Sequence, residues 1–227
     1  MKKILILLSG CGVYDGTEIQ EAVLSMLAIE EAGGVYECCA PDQSQAQVVN
    51  HVTGEVIPES RNIKVEAARI ARGKIVSTTE IKVEDYQGLL LPGGFGAAKN
   101  LTHWAFEGAA GSIEDSVKSL ILQFIQAKKP ILALCMAPVV VAKALEGSGL
   151  TPQLTVGSTE EPTPYDINSI AQGMESLGSQ VHARTLREIQ LDSTLRIITA
   201  PCYMMEGNIQ EINSNIKQAV AQLMTWA

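Results

Sequence analysis

Aromatic residues are scarce in this chain of 227 residues, at 4% of positions. A large core must then be aliphatic, and a hydrophobic content of 46% is enough to build one. Charged residues reach only 19%, below the roughly 25% usual for soluble domains, which argues against disorder. No basic run occurs, and the net charge is −8. An acidic surface repels phosphate backbones, so no nucleic-acid partner is expected. No apolar run approaches the ~18 residues of a membrane span, so no membrane partner is expected. Lys2-Lys3 followed by Ile-Leu-Ile-Leu-Leu imitates a signal peptide. That run stops at Ser9-Gly10, short of the roughly 7–15 residues a signal core needs, and reads as a buried first strand.

Disulfide and metal chemistry are thinly supplied. The five cysteines, Cys11, Cys38, Cys39, Cys135 and Cys202, are odd in number and form no Cys-x-x-Cys. They are not a disulfide framework and suit a reducing compartment, so the expected location is cytoplasmic. Only His51, His103 and His182 offer imidazole, and neither a metal site nor a cofactor is expected.

What is present is alternation. Ile4–Leu8 is a continuous apolar run ended by Ser-Gly-Cys-Gly, the pattern of a strand buried on both faces. A helix follows, with Thr17 and Gln20 at capping-box spacing and an apolar stripe of Ile19, Ala22, Val23, Met26 and Leu27. Gly33-Gly34 closes it, and Val35–Ala40 is the next strand. Further strands are expected at Leu89–Leu91, Ile131–Leu134, near Leu154–Val156 and near Arg196–Thr199. Helices are expected after Ser112, from Pro138, near Asp166–Leu177 and over Glu206–Met224. Residues 43–80 interrupt the pattern, with a hairpin around Thr53-Gly54 and a helix over Arg61–Arg72. The expectation is one α/β domain over residues 1–227, a mostly parallel central sheet with helices on both faces. Ligands in such folds bind beyond the carboxyl ends of the strands, which singles out loops 9–18, 41–62, 92–100, 135–138, 157–166 and 200–208.

One of these loops carries a nucleophile candidate. In Ile131-Leu-Ala-Leu-Cys135-Met-Ala-Pro138 a buried strand meets a helix start at the cysteine. A sharp turn there aims the helix N-terminus at the sulfur and favours its thiolate, with an ionisation well below the free value of about 8.5. The plain alternative is a buried structural cysteine. Pro92-Gly93-Gly94 ends the neighbouring strand, and the Gly94 and Met136 amides are placed to form an oxyanion hole. Gly12, Gly93, His51, Arg61 and Asn62 are candidate pocket residues. A solvated His51 and surface ion pairs at Arg61 are the ordinary alternatives. A rival reading takes Gly10, Gly12 and Gly16, with Asp42 after the second strand, as a dinucleotide fingerprint of irregular spacing.

Taken together, SGCGVYDGTEIQEA, HVTGE, RNIKVEAARIARG, LLLPGGFGAAKNL, LCMAPVVVAK and APCYMMEGNI resemble the ElbB-type proteins. These are a branch of the DJ/PfpI superfamily, which is class I glutamine amidotransferase-like. The resemblance implies a flavodoxin-like sandwich and a homodimer. It implies a reactive cysteine at Cys135, a partner glutamate at Glu18 and oxyanion-hole amides at Gly94 and Met136. It also implies a glutathione-independent glyoxalase acting on glyoxal, a small dicarbonyl, to give glycolate. A deglycase interpretation of that activity exists, as does a link to isoprenoid biosynthesis by name. Protonated Glu18 is expected to donate to the thiolate and move a proton between the two carbons of a hemithioacetal. Met136 stands where many superfamily members have histidine, and His182 is followed by Ala-Arg rather than completing His-x-Glu. Amidotransferase and peptidase chemistry are therefore not expected. A non-enzymatic redox or electrophile sensor using the same sulfur is the alternative from another class.

Overall fold

The apolar runs become the centre of a sheet in the computed structural model, which describes residues 1–227. The strands are β1 (Lys3–Leu7), β2 (Val35–Ala40), β3 (Val48–Val49), β4 (Val56–Ile57), β5 (Ile75–Ser77), β6 (Gly88–Leu91), β7 (Ile131–Leu134), β8 (Gln153–Leu154), β9 (Gln180–Val181), β10 (Gln190–Asp192) and β11 (Ile197–Ala200). The helices are α1 (Ile19–Glu31), α2 (Ile63–Ile70), α3 (Trp104–Glu107), α4 (Asp115–Gln126), α5 (Pro138–Leu145), α6 (Ile167–Ser176) and α7 (Ile209–Trp226). Seven strands form the main sheet in the order β10-β11-β7-β6-β1-β2-β5. Every pair in it is parallel except β10 with β11.

Parallel strands covered on both faces need apolar side chains on both faces. Residues of β1, β6, β7 and β11 supply them and are buried almost throughout. Helices α1 and α7 pack together against one side, and α4, α5 and α6 form a row on the other. One cluster of 57 buried apolar residues runs through the layers, and Phe124 is its only phenylalanine. Burying each aliphatic side chain stabilises by roughly 1.5–3 kcal/mol, so an aromatic-poor chain still holds this fold.

The residue pattern misplaces four features. Segment 43–80 does contain the β3–β4 hairpin, but α2 and β5 continue the strand-helix alternation, with β5 as the edge of the main sheet. A strand of three residues is too short to show a period. The cap of α1 is Glu18 and not Thr17, because the Thr17 hydroxyl is taken by the Ser9 N–H at 2.7 Å. Likewise Glu114, not Ser112, caps α4. Within α1 the expected stripe divides. Ala22 and Met26 face the core, and Ile19, Val23 and Leu27 face outward.

Candidate active site

The carboxyl ends of β1, β6, β7 and β11 bring four loops to one point. After Leu134 the chain turns at Cys135, whose φ is 55°, and enters α5 with Pro138 in the first turn. A positive φ at this position swings the side chain off the strand direction. The Cys135 N–H continues the sheet ladder to the Ala200 carbonyl at 2.9 Å, and the Ala137 N–H bonds the Leu134 carbonyl at 2.8 Å. The elbow expected from the sequence is present, with the sulfur turned toward the β6 loop rather than outward. Cys135 is 5% exposed.

Gly93 is the contact between that loop and the sulfur. A Cβ at Gly93 would lie 2.5 Å from the Cys135 Cβ, 2.9 Å from Sγ and 2.8 Å from Glu21 Oε2. Gly94 has φ 96°, and its Cβ would lie 2.4 Å from both the Glu18 nitrogen and the Gly16 carbonyl oxygen. Only glycine allows this approach of two loops. The Gly94 and Met136 N–H groups act on the Cys135 sulfur and favour its thiolate.

The carboxyl at the sulfur belongs to Glu21. The family resemblance implied this partner at Glu18, one helical turn earlier. Glu18 is the α1 cap, and its Oε2 accepts from the Glu21 N–H at 2.6 Å. Its side chain lines the cavity in front of Cys135 but is committed to the helix end. Glu21 is fully buried on the inner face of α1. The Gly93 N–H donates to its Oε2 at 2.8 Å and the Tyr203 N–H donates to its Oε1 at 3.3 Å. Glu21 lies opposite the apolar stripe that the pattern predicted, so the sequence carried no signal for it. The assignment to Glu18 came from the family resemblance, which pointed to the start of the first helix.

Burial, then the like charge of Glu18, push the Glu21 carboxyl up to about 8, against the pull of the Gly93 and Tyr203 N–H groups. Burial also raises Glu18. Burial pushes the Cys135 thiol upward, the Glu21 carboxylate adds to the push, and the Gly94 and Met136 N–H groups oppose it. This corrects the expectation of a thiol ionised well below its free value. The donors at the helix start are real, but desolvation outweighs them. Cys135 and Glu21 are therefore a coupled pair, in which the Glu21 carboxyl loses its proton before the Cys135 thiol does.

Val13, Phe95, Tyr165, Tyr203 and Met204 close over the pair with Glu18, Gly94 and Met136, leaving a cavity of about 10 Å³. Tyr165 and Tyr203 had no marker in the sequence beyond lying in loops at the correct sheet edge. Cys202 is buried beside the pair at φ 47°, and its thiol donates to Asn215 Oδ1 at 3.6 Å. Cys38 and Cys39 are buried in β2 as expected.

Four of the proposed pocket residues serve other ends. Gly12 packs on the His51 ring, which accepts from the Tyr14 N–H at 3.1 Å and bonds the Val49 carbonyl at 3.0 Å. His51 thereby ties the hairpin to loop 9–18 and does not line the cavity at the sulfur. Arg61 is paired with Glu59 at 2.7 Å. Asn62 caps α2 through the Val65 N–H at 3.0 Å and donates to Asp42 Oδ1 at 2.9 Å. Asp42 is further engaged by Lys64. The fingerprint-like glycines close on themselves, with the Gly12 and Gly16 N–H groups bonded to the Thr17 and Gly12 carbonyls at 2.9 and 2.7 Å. A phosphate cradle needs such donors free.

No protein-family model matches the sequence. The mitochondrial ES1 protein homolog of Rattus norvegicus is 35% identical over 224 residues, covering 98% of this chain and 83% of that protein. The mitochondrial glutamine amidotransferase-like class 1 domain-containing protein 3 of Homo sapiens is also 35% identical over 224 residues, covering 98% and 82%. The chain belongs to this ES1, or ElbB-type, family. The crystal structure of an isoprenoid biosynthesis protein with amidotransferase-like domain from Ehrlichia chaffeensis superposes with a TM-score of 0.89 at 31% identity, covering 100% of this chain and 99% of that one. Drosophila melanogaster DJ-1beta superposes with a TM-score of 0.53 at 14% identity, a likeness of fold. The Rattus norvegicus and Homo sapiens relatives both carry the mitochondrion in their names, whereas the cysteines pointed to the cytoplasm. No helix of this ES1-family chain is long and apolar enough to cross a membrane.

Proposed function

We propose that the protein is a cofactor-independent, glyoxalase-like enzyme of small dicarbonyls, converting glyoxal to glycolate in a reducing compartment such as the cytoplasm. The observation that carries this reading is the sulfur of Cys135 set between two N–H donors and the buried carboxyl of Glu21.

The Glu21 carboxylate takes the thiol proton as Cys135 Sγ attacks one carbonyl carbon, so the C–S bond forms as the S–H bond breaks. Glu21 then passes that proton to the charged oxygen to give a hemithioacetal. The Gly94 and Met136 N–H groups, now directed at sulfur, are in reach of the oxygen that gains charge. Glu21, a carboxylate again, takes the proton from that carbon and returns it to its neighbour while the hemithioacetal hydroxyl proton passes to the second oxygen, which leaves a thioester and a hydroxymethyl group. Water hydrolyses the thioester and regenerates the pair. One carbon is oxidised and the other reduced, so glyoxal plus water gives glycolate and a proton with no external oxidant. A general acid–base group works best with a pKa near the working pH, and the value of about 8 suits Glu21 to both directions. The deglycase interpretation uses the same attack on a carbonyl-derived carbon.

Conversion of glyoxal to glycolate by purified protein, lost in Cys135→Ser, is the deciding test. Equal product from the variant removes the reading. The alternative, an electrophile or redox sensor, is favoured by the small cavity over Cys135. It expects stoichiometric modification of Cys135 without turnover.

The proposal includes a homodimer. Ile19, Val23 and Leu27 are 43%, 49% and 45% exposed at four-residue spacing on the outer face of α1, an apolar strip that a second copy can cover.

A further inference from the structure

Tyr165 stands between Cys135 and solvent on a braced segment. The Thr163 hydroxyl donates to the Met204 carbonyl at 2.6 Å, and the Tyr165 N–H donates to Thr163 Oγ1 at 3.1 Å. The Glu206 N–H bonds the Pro162 carbonyl at 2.9 Å, and Asp166 caps α6 through the Ser169 N–H at 3.0 Å. Pro162 and Pro164 restrict the backbone between these ties. The Tyr165 ring meets Phe95 edge-on, with centroids 5.9 Å apart. It lines the inner cavity with Cys135 and also an outer cleft of about 510 Å³ with Tyr14, Gln20 and Glu206.

The Tyr165 hydroxyl has no hydrogen-bond partner in the protein, whereas those of Tyr86 and Tyr203 are engaged by Glu37 and Gln20. Burial first, then the nearby Cys135 sulfur and Glu21 carboxyl, push the phenol up to about 12. It therefore remains a proton-bearing donor across the working range of the site.

The reaction proposed above has a donor for only one of the two substrate oxygens. When Glu21 removes the proton from the sulfur-bearing carbon, the electron pair moves into the carbon–carbon bond and onto the second oxygen. Val13, Phe95, Met136 and Met204 line the cavity without a side-chain donor, and the Glu18 carboxyl serves the α1 cap. We propose that Tyr165 is a further catalytic residue, whose phenolic O–H donates to this second oxygen of the dicarbonyl as its charge develops. This rests on the dicarbonyl reading of Cys135 and narrows the substrate class to compounds with adjacent carbonyl carbons. The Tyr165 proton stays on the phenol oxygen throughout, and Glu21 alone carries a proton between carbons.

Tyr165→Phe keeps the ring and its contact with Phe95 and removes only the hydroxyl. Turnover of glyoxal by Tyr165→Phe is expected to fall about 100-fold, the usual loss for one such donor. Alkylation of Cys135 by iodoacetamide, which has no second oxygen to hold, is expected to keep its wild-type rate. Glyoxal turnover within about twofold of wild type overturns the role of Tyr165, while Cys135-dependent glycolate from the wild type leaves the parent reading standing. Equal losses in turnover and alkylation assign Tyr165 to shaping the site and also overturn its role as donor. A wild type that makes no more glycolate than Cys135→Ser overturns the dicarbonyl reading, and the Tyr165 role with it.

Discussion

Glu21 and Cys135 meet at the floor of the cleft, and neither can change its charge without changing the other. Removing one partner should therefore alter the titration of the one that remains.

Alkylation of wild-type Cys135 is expected to stay slow through about pH 8, where Glu21 loses its proton and its carboxylate adds to the push on the thiol. Glu21→Gln removes that carboxylate. Its thiol, raised by burial alone, should ionise at a lower pH than in wild type and react faster. Iodoacetamide rates from pH 6 to 10 check this, and an unchanged midpoint in Glu21→Gln would exclude the coupling.

Glu18→Gln should act on Glu21. Glu18 raises Glu21 by like charge, so neutralising it should bring the pH at which Glu21 loses its proton below that of wild type, read as a shift in the pH–rate profile, while glyoxal turnover survives. Glu18→Ala additionally removes the α1 cap and is expected to cost roughly 1 kcal/mol in denaturant melts. Abolished turnover in Glu18→Gln would return the proton-transfer role to Glu18.

Stability should depend on pH through Glu21. Its folded pKa of about 8 lies above the ordinary carboxyl value of 4.5, so the folded state binds the extra proton between those values. That stabilisation is complete below the unfolded pKa and is lost as pH rises through the folded one. Wild type should lose Tm from pH 5 to pH 9, and Glu21→Gln should lose less over the same range. Parallel curves for the two proteins would refute this.

Gly93→Ala places a methyl group 2.5 Å from the Cys135 Cβ. Relieving that overlap should cost about 1–3 kcal/mol and separate Glu21 from the sulfur. A melt combined with Cys135 alkylation checks both, and wild-type values in each would show that the loops do not meet as described.

Leu27→Glu puts a charge within the exposed strip of α1. The dimer should dissociate by analytical ultracentrifugation while the Tm of the protomer changes little. A wild type that sediments as a monomer would remove the dimer from the proposal.

The legible parts of the molecule were those built from local pattern. Ile4–Leu8 and Ile131–Leu134 could only be buried strands, and Leu134-Cys135-Met136-Ala137-Pro138 could be read as an elbow because strand and helix signals abut there. Gly93-Gly94 was legible for the same reason. Glu21 was not, because a charged residue on a helix counts as solvated until its face is known. The sequence-based stripe identified Ala22 and Met26 correctly but also assigned Ile19, Val23 and Leu27 to the core. Tyr165 depends on ties between segments 162–166 and 204–206, which no short-range pattern records.

The left-handed torsion at Cys135 also governs how the sulfur is presented. A side-chain-bearing residue there costs roughly 1–2 kcal/mol over the right-handed form, and the ladder bonds on either side hold the chain to it. Direction is thus imposed by the main chain before any ligand arrives, and little rotational freedom is left to lose on reaction. Serine in this place inherits the same aim, so a loss of chemistry in that variant reports on the element replaced and not on misdirection.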